Sequence, residues 1–193
     1  MSRKITLWAV LISLIPTGAV CAALPQGLRP ARWDFRTGYA YQYTNESRPN
    51  NFQLIPFLPS VIIPLTKEIG PRWARGKFNW QVEGNFAAFI HPWHRPLFGV
   101  TPIQFQWEWA TPCRWKPYVF AGAGVLYANV DRRETRKDLN FNLQGGIGTY
   151  LDLGKDRSLI VEYRHIHLSN AGLHEDNSGM DTHNFLVGVS VRK

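Results

Sequence analysis

Phe78-Asn79-Trp80-Gln81-Val82-Glu83-Gly84-Asn85-Phe86 alternates with a period of two. In an extended chain, successive side chains point to opposite faces. Phe78, Trp80, Val82 and Phe86, continued by Ala88, therefore share one face, and Asn79, Gln81, Glu83 and Asn85 share the other. The segment downstream repeats the pattern, with Phe105, Trp107 and Trp109 against Gln104, Gln106 and Glu108. A third copy sets Phe141, Leu143, Ile147 and Leu151 against Asn140, Asn142, Gln144 and Asp152. An amide-lined inside behind an aromatic outside is the pattern of a transmembrane β-barrel; a soluble barrel inverts it. The competing architecture is a soluble periplasmic β-domain.

Eight segments read as strands, over roughly 35–46, 52–65, 76–90, 97–110, 116–130, 139–152, 157–169 and 181–192. Each meets or exceeds the ~9–11 residues that a tilted strand needs to cross a bilayer. The expected fold is an all-β, eight-stranded antiparallel barrel. In the first strand Tyr39, Tyr41 and Tyr43 oppose Gly38, Ala40 and Gln42. The second is interrupted by Pro56, Pro59 and Pro64 and the fourth by Pro102, each of which removes a ladder donor. An even strand number puts both termini on one side, expected to be periplasmic. Asn45–Asn51, His91–Pro96, Asp131–Lys137 and Asn170–Met180 then connect strands on the outside.

The N-terminus prepares this chain for export. Arg3 and Lys4 precede an apolar run, Ile5 to Ile15, and Ala19-Val20-Cys21-Ala22-Ala23 offers small residues for cleavage. This is a secretory signal peptide over 1–23, too short for a comfortable span. Val20 before Cys21 argues against a lipoprotein. Residues 24–193 form one domain that keeps one cysteine, Cys113, so no intrachain disulfide is expected. Without the leader, 20 basic residues face 14 acidic, a net charge of +6. In an exported protein that charge points to a phosphate-rich envelope surface and away from nucleic acid. The chain carries eight Trp and eleven Phe and has no later run of ~18 apolar residues.

Strand phase then exposes a chemical constellation. Glu162 and Arg164 take the polar phase of the seventh strand and pair in the lumen; Val161, Tyr163, His165, His167 and Ser169 take the other. In the eighth strand Phe185, Val187, Val189 and Val191 form an apolar phase that includes Asp181 and His183. His167, Ser169 and Asp181 therefore face outward at the top of one hairpin. Polar groups on a lipid-facing wall are costly and mark function. By residue type, Ser169 is the nucleophile, His167 its base, and Asp181 the acid that orients the imidazole. Asn170, with the backbone N–H of Gly172, is placed to hold an oxyanion. The bland reading is a turn after Ser169 and a histidine in the headgroup belt.

The run Tyr163-Arg164-His165-Ile166-His167-Leu168-Ser169-Asn170-Ala171-Gly172, with Asn177-Ser178-Gly179-Met180-Asp181, resembles the C-terminal hairpin of the lipid A 3-O-deacylases of Gram-negative outer membranes. Leu97-Phe98-Gly99-Val100-Thr101-Pro102 resembles the same family. The resemblance implies an outer-membrane barrel with an exterior H-x-S-N serine-hydrolase site acting on lipopolysaccharide, without cofactor or metal. His167 and Ser169 match the family's base and nucleophile, Asp181 the place of its acid, which is often Glu, and Asn170 and Gly172 its oxyanion region. The chain departs from barrel habit by ending in Val191-Arg192-Lys193 rather than an aromatic.

Other candidates are weaker. His165, His167, His174 and His183 suggest a metal site, but only three share a face and no Cys supports them. His91-Pro92-Trp93-His94 reads as an interfacial loop. The basic loop Asp131–Lys137 is either a solvated loop or an attraction for lipopolysaccharide phosphates. The alternative function is a non-catalytic small barrel for structure, adhesion or narrow transport. The oligomeric state stays open, a homodimer included.

Overall fold

A computed structural model describes residues 29–42, 51–92, 94–128, 139–173 and 179–193. The expected signal peptide, Tyr43, most of the first outer loop, Trp93, the basic outer loop, His174, Asn177 and Ser178 lie outside the described residues. Eight strands close a barrel: β1 (Arg32–Tyr41), β2 (Gln53–Pro64), β3 (Gly76–His91), β4 (Pro96–Trp109), β5 (Trp115–Ala128), β6 (Leu139–Gly154), β7 (Arg157–Ser169) and β8 (Met180–Arg192). Every neighbour is antiparallel, and β1 closes onto β8 from Arg32↔Arg192 to Tyr41↔His183. Closure leaves no unpaired edge, as lipid demands.

The expected phases hold. Phe57, Ile103, Leu143, Ile147, Phe185 and Val187 are exposed on the outer wall. Asn79, Gln81, Glu83, Gln104, Gln106, Asn142 and Gln144 are buried in the lumen.

The prolines are absorbed where the ladder is already open. The β1–β2 pairing skips Pro56, whose carbonyl instead accepts from the Thr37 hydroxyl at 2.8 Å. The β2–β3 pairing skips Leu58 and Pro59. Pro102 sits in a bulge: the register shifts between Gln81 and Glu83 on one side and between Val100 and Ile103 on the other. A bulge tolerates the missing donor and re-aims the strand. The Pro102 carbonyl, freed from the ladder, accepts from the Trp80 indole N–H at 2.7 Å.

β1 begins earlier than its sequence pattern indicates, so Asp34 joins Arg36 in the lumen. There they join Glu162 and Arg164. Arg36 reaches Asp34 at 2.7 Å and Glu162 at 2.9 Å; Arg164 reaches Glu83 at 2.7 Å and Glu162 at 2.5 Å. Tyr118 donates to Glu162 at 2.6 Å and Tyr150 to Asp34 at 2.7 Å. Buried charge is tolerated only when paired and hydrogen-bonded in this way.

At the end bearing the longer loops, the interior turns apolar. Ala40, Phe52, Leu54, Phe89, Leu97, Leu126, Leu168 and Met180 form one buried cluster. Leu168 lies between His167 and Ser169 in sequence, and Met180 precedes Asp181. The inward neighbours of the candidate site thus anchor its hairpin in a packed core, while His167, Ser169 and Asp181 take the opposite face.

Candidate active site

Register brings the site together. In the β7–β8 ladder His167 is directly opposite Asp181, His165 opposite His183, and Tyr163 opposite Phe185. Directly opposed side chains on one face stand within reach of each other. The His167 Nδ1 and Asp181 Oδ1 are 2.7 Å apart, a hydrogen bond across the hairpin. The shorter carboxylate reaches the imidazole without a further methylene, because no diagonal has to be spanned. Both side chains face out, 40 % exposed for His167 and 22 % for Asp181.

Ser169 lies on the same face, two residues on from His167, at the last position of β7 and opposite Phe141. Among the described residues no hydrogen bond joins its hydroxyl to the imidazole. Catalytic hydrogen bonds are often long in the absence of substrate and tighten when it binds. The structure therefore pairs His167 and Asp181 directly, and sets Ser169 beside them on the same wall.

Asn170 is fully buried at the start of the turn that leaves β7. Its Oδ1 accepts from the Gly172 N–H at 2.9 Å, and Ala171 (φ 53°) and Gly172 (φ 79°) are both left-handed. This is an Asx turn. The Gly172 donor expected at the oxyanion is engaged within that turn in this state.

Two contacts were not legible in the residue pattern. Gly179 (φ +72°) passes so close to His167 that a Cβ there would fall 2.8 Å from its Cε1. The glycine thus lets the chain enter β8 while pressing against the ring edge. Gln42, which the pattern marks only as an inward residue of the first strand, accepts from the Asp181 N–H through its Oε1 at 3.0 Å. The backbone of Asp181 is thereby tied to β1 across the closure. His165 and His183 share the face as expected, with ring centroids 5.2 Å apart. Among the described residues no group of three or more His, Cys, Asp and Glu side chains is placed to hold a metal ion.

A closed eight-stranded barrel with an apolar outer wall is an outer-membrane β-barrel, and this one carries a serine, an imidazole and a carboxylate on that wall. The chain belongs to the lipid A 3-O-deacylase (PagL) family, whose model matches residues 31–190. Members of that family are ester hydrolases of the outer membrane. The fold is similar to the crystal structure of the outer membrane enzyme PagL, with TM-score 0.56, 20% sequence identity, 84% of this chain and 100% of that chain covered. It is also similar to Neisserial surface protein A (NspA), with TM-score 0.51 and 11% identity, covering 84% of this chain and 96% of that one. No curated protein sequence matches the chain.

Proposed function

We propose that this protein removes the ester-linked 3-position hydroxyacyl chain of lipid A, using Ser169, His167 and Asp181. The Ser169 Oγ attacks the ester carbonyl carbon while His167 Nε2 takes the hydroxyl proton. Asp181 holds Nδ1–H and stabilises the imidazolium that forms. Collapse of the tetrahedral species breaks the bond to the sugar oxygen, which leaves with the proton held by His167. Water then cleaves the acyl-serine by the same base, releasing a free hydroxy fatty acid. Asn170 serves the oxyanion, and the Gly172 N–H joins it by exchanging the Asn170 oxygen for the substrate's. The chain supplies all these groups, so the reaction calls for no cofactor.

The single observation that carries this reading is the His167–Asp181 hydrogen bond on the outward face beside Ser169. A lipid embedded in the leaflet reaches that face laterally. With residues 1–23 removed on export and the longer loops outward, the site lies at the extracellular leaflet, where lipopolysaccharide resides. The competing reading, a non-catalytic barrel, has no use for an imidazole–carboxylate pair on a lipid-facing wall. Transport suits the interior poorly, because Arg36, Arg164, Glu83 and Glu162 fill its middle and the apolar cluster fills its loop end.

Mass spectrometry of lipopolysaccharide incubated with the purified barrel tests the proposal. Wild type is expected to remove one hydroxyacyl mass from the 3 position, and Ser169→Ala to remove none. Identical spectra from folded wild type and Ser169→Ala would overturn it.

A further inference from the structure

We propose that His165 is a positioning residue for the base–acid pair, which rests on the hydrolase reading above. Its Nε2 lies 3.7 Å from Asp181 Oδ1, the same oxygen that meets His167 Nδ1 at 2.7 Å. Asp181 Oδ1 is thus bracketed by two imidazoles from one strand. His165 supplies a second imidazole beside the carboxylate oxygen that His167 engages.

The surroundings hold His165 in this place. Its partner on β6 is Gly145, so no side chain competes for space on that side. On β8 its partner is His183, whose Nδ1 is 2.8 Å from the Tyr163 hydroxyl. The Tyr41 ring packs on His183 from β1, with centroids 5.5 Å apart. The His183 ring, braced by Tyr163 and Tyr41, thus packs beside the His165 ring with centroids 5.2 Å apart. His165 is one strand repeat of about 6.6 Å further from Ser169 than His167 is. It therefore acts through Asp181 rather than on the reacting ester.

A double-mutant cycle on the refolded full barrel tests this, with fold checked by heat-dependent gel migration. His165→Phe is expected to lower kcat about five- to tenfold with KM within about twofold. His165→Gln, which keeps a polar donor, is expected to recover at least half of the loss. In the Asp181→Asn background, His165→Phe is expected to change kcat less than about twofold, since the residue it acts through is already disabled. An equal loss in both backgrounds would mean a merely structural role and overturn the proposal, as would an effect confined to KM.

Long-range nitrogen NMR of labelled histidine gives a readout independent of turnover. The wild-type His167 is expected in the Nδ1–H tautomer, and His165→Phe to show a mixture. An unchanged tautomer in His165→Phe would refute the role of His165. A wild type without deacylase activity would instead sink the hydrolase reading, leaving the NMR comparison to decide this one.

Discussion

Asp181→Asn is the most informative single substitution. It preserves the shape of the side chain and removes its charge. The amide donates as well as accepts, so the imidazole loses its reason to keep the proton on Nδ1, and Nε2 is then often protonated and unable to receive the Ser169 proton. The magnitude follows from geometry. During attack the His167 cation forms with Nδ1 2.7 Å from Asp181 Oδ1. That places the charge centres about 4 Å apart, worth ~4 kcal/mol at an effective dielectric of ~20. The 40 % and 22 % exposure of the two side chains lets solvent screen part of this. A discount to about 2–3 kcal/mol is appropriate. At ~1.4 kcal/mol per decade, kcat falls roughly 30- to 160-fold. The same Asp→Asn change in a buried Ser-His-Asp triad costs more, about 10⁴-fold, through the wrong imidazole tautomer. The assay is the rate of hydroxy fatty acid release from lipopolysaccharide at saturating substrate. A folded Asp181→Asn barrel within about threefold of wild type would refute the role given to the acid.

Three further outcomes follow from other contacts. Gly179→Ala puts a methyl 2.8 Å from His167 Cε1 at a left-handed position, so activity is expected to drop at least about tenfold while stability falls by only ~1 kcal/mol; full activity would show that the ring does not depend on this approach. Arg164→Met leaves Glu83 and Glu162 without their closest cation and is expected to cost about 3–5 kcal/mol in urea unfolding from lipid vesicles; an unchanged midpoint would contradict the account of the lumen. The free, exposed Cys113 in the β4–β5 turn, its thiol drawn below its usual range by hydrogen bonding to the Thr111 side chain and the Trp115 backbone, is expected to react with a bulky polymer-linked maleimide only after the outer membrane is permeabilised. In the Cys113→Ser background, Leu173→Cys at the opposite end is expected to label on intact cells, and the reverse pattern would invert the orientation.

The alternation in β3, β4 and β6 was sufficient to read the barrel and its inside-out polarity, because every second residue on those strands is committed to one solvent. The same logic put His167, Ser169 and Asp181 on one wall, since a period of two fixes the face as soon as the strand is located. What alternation does not carry is register. Whether Asp181 sits opposite His167 or two residues away depends on the length of the connecting loop and on how β1 closes onto β8. The Gln42 contact to the Asp181 N–H is a product of that closure, between residues 139 positions apart. Gly179 was visible as a letter but not as a contact, because the demand for a missing side chain comes from a ring on the neighbouring strand. The start of β1 is hidden in the sequence for a related reason. Asp34 looks like part of a polar lead-in until Tyr150 and Arg36 are seen meeting it in the lumen. The prolines, which locally argue against strands, are accommodated by bulges and skipped pairs that no single-strand pattern reveals.

The central claim is that a serine on the lipid-facing wall is the nucleophile. Trapping with a lipophilic fluorophosphonate in mixed micelles, followed by peptide mass mapping, tests it directly. One adduct per chain is expected, located on Ser169 and formed at least about tenfold more slowly in His167→Asn. A barrel that deacylates lipopolysaccharide yet carries its adduct on another residue, or forms the Ser169 adduct equally fast without His167, would contradict it.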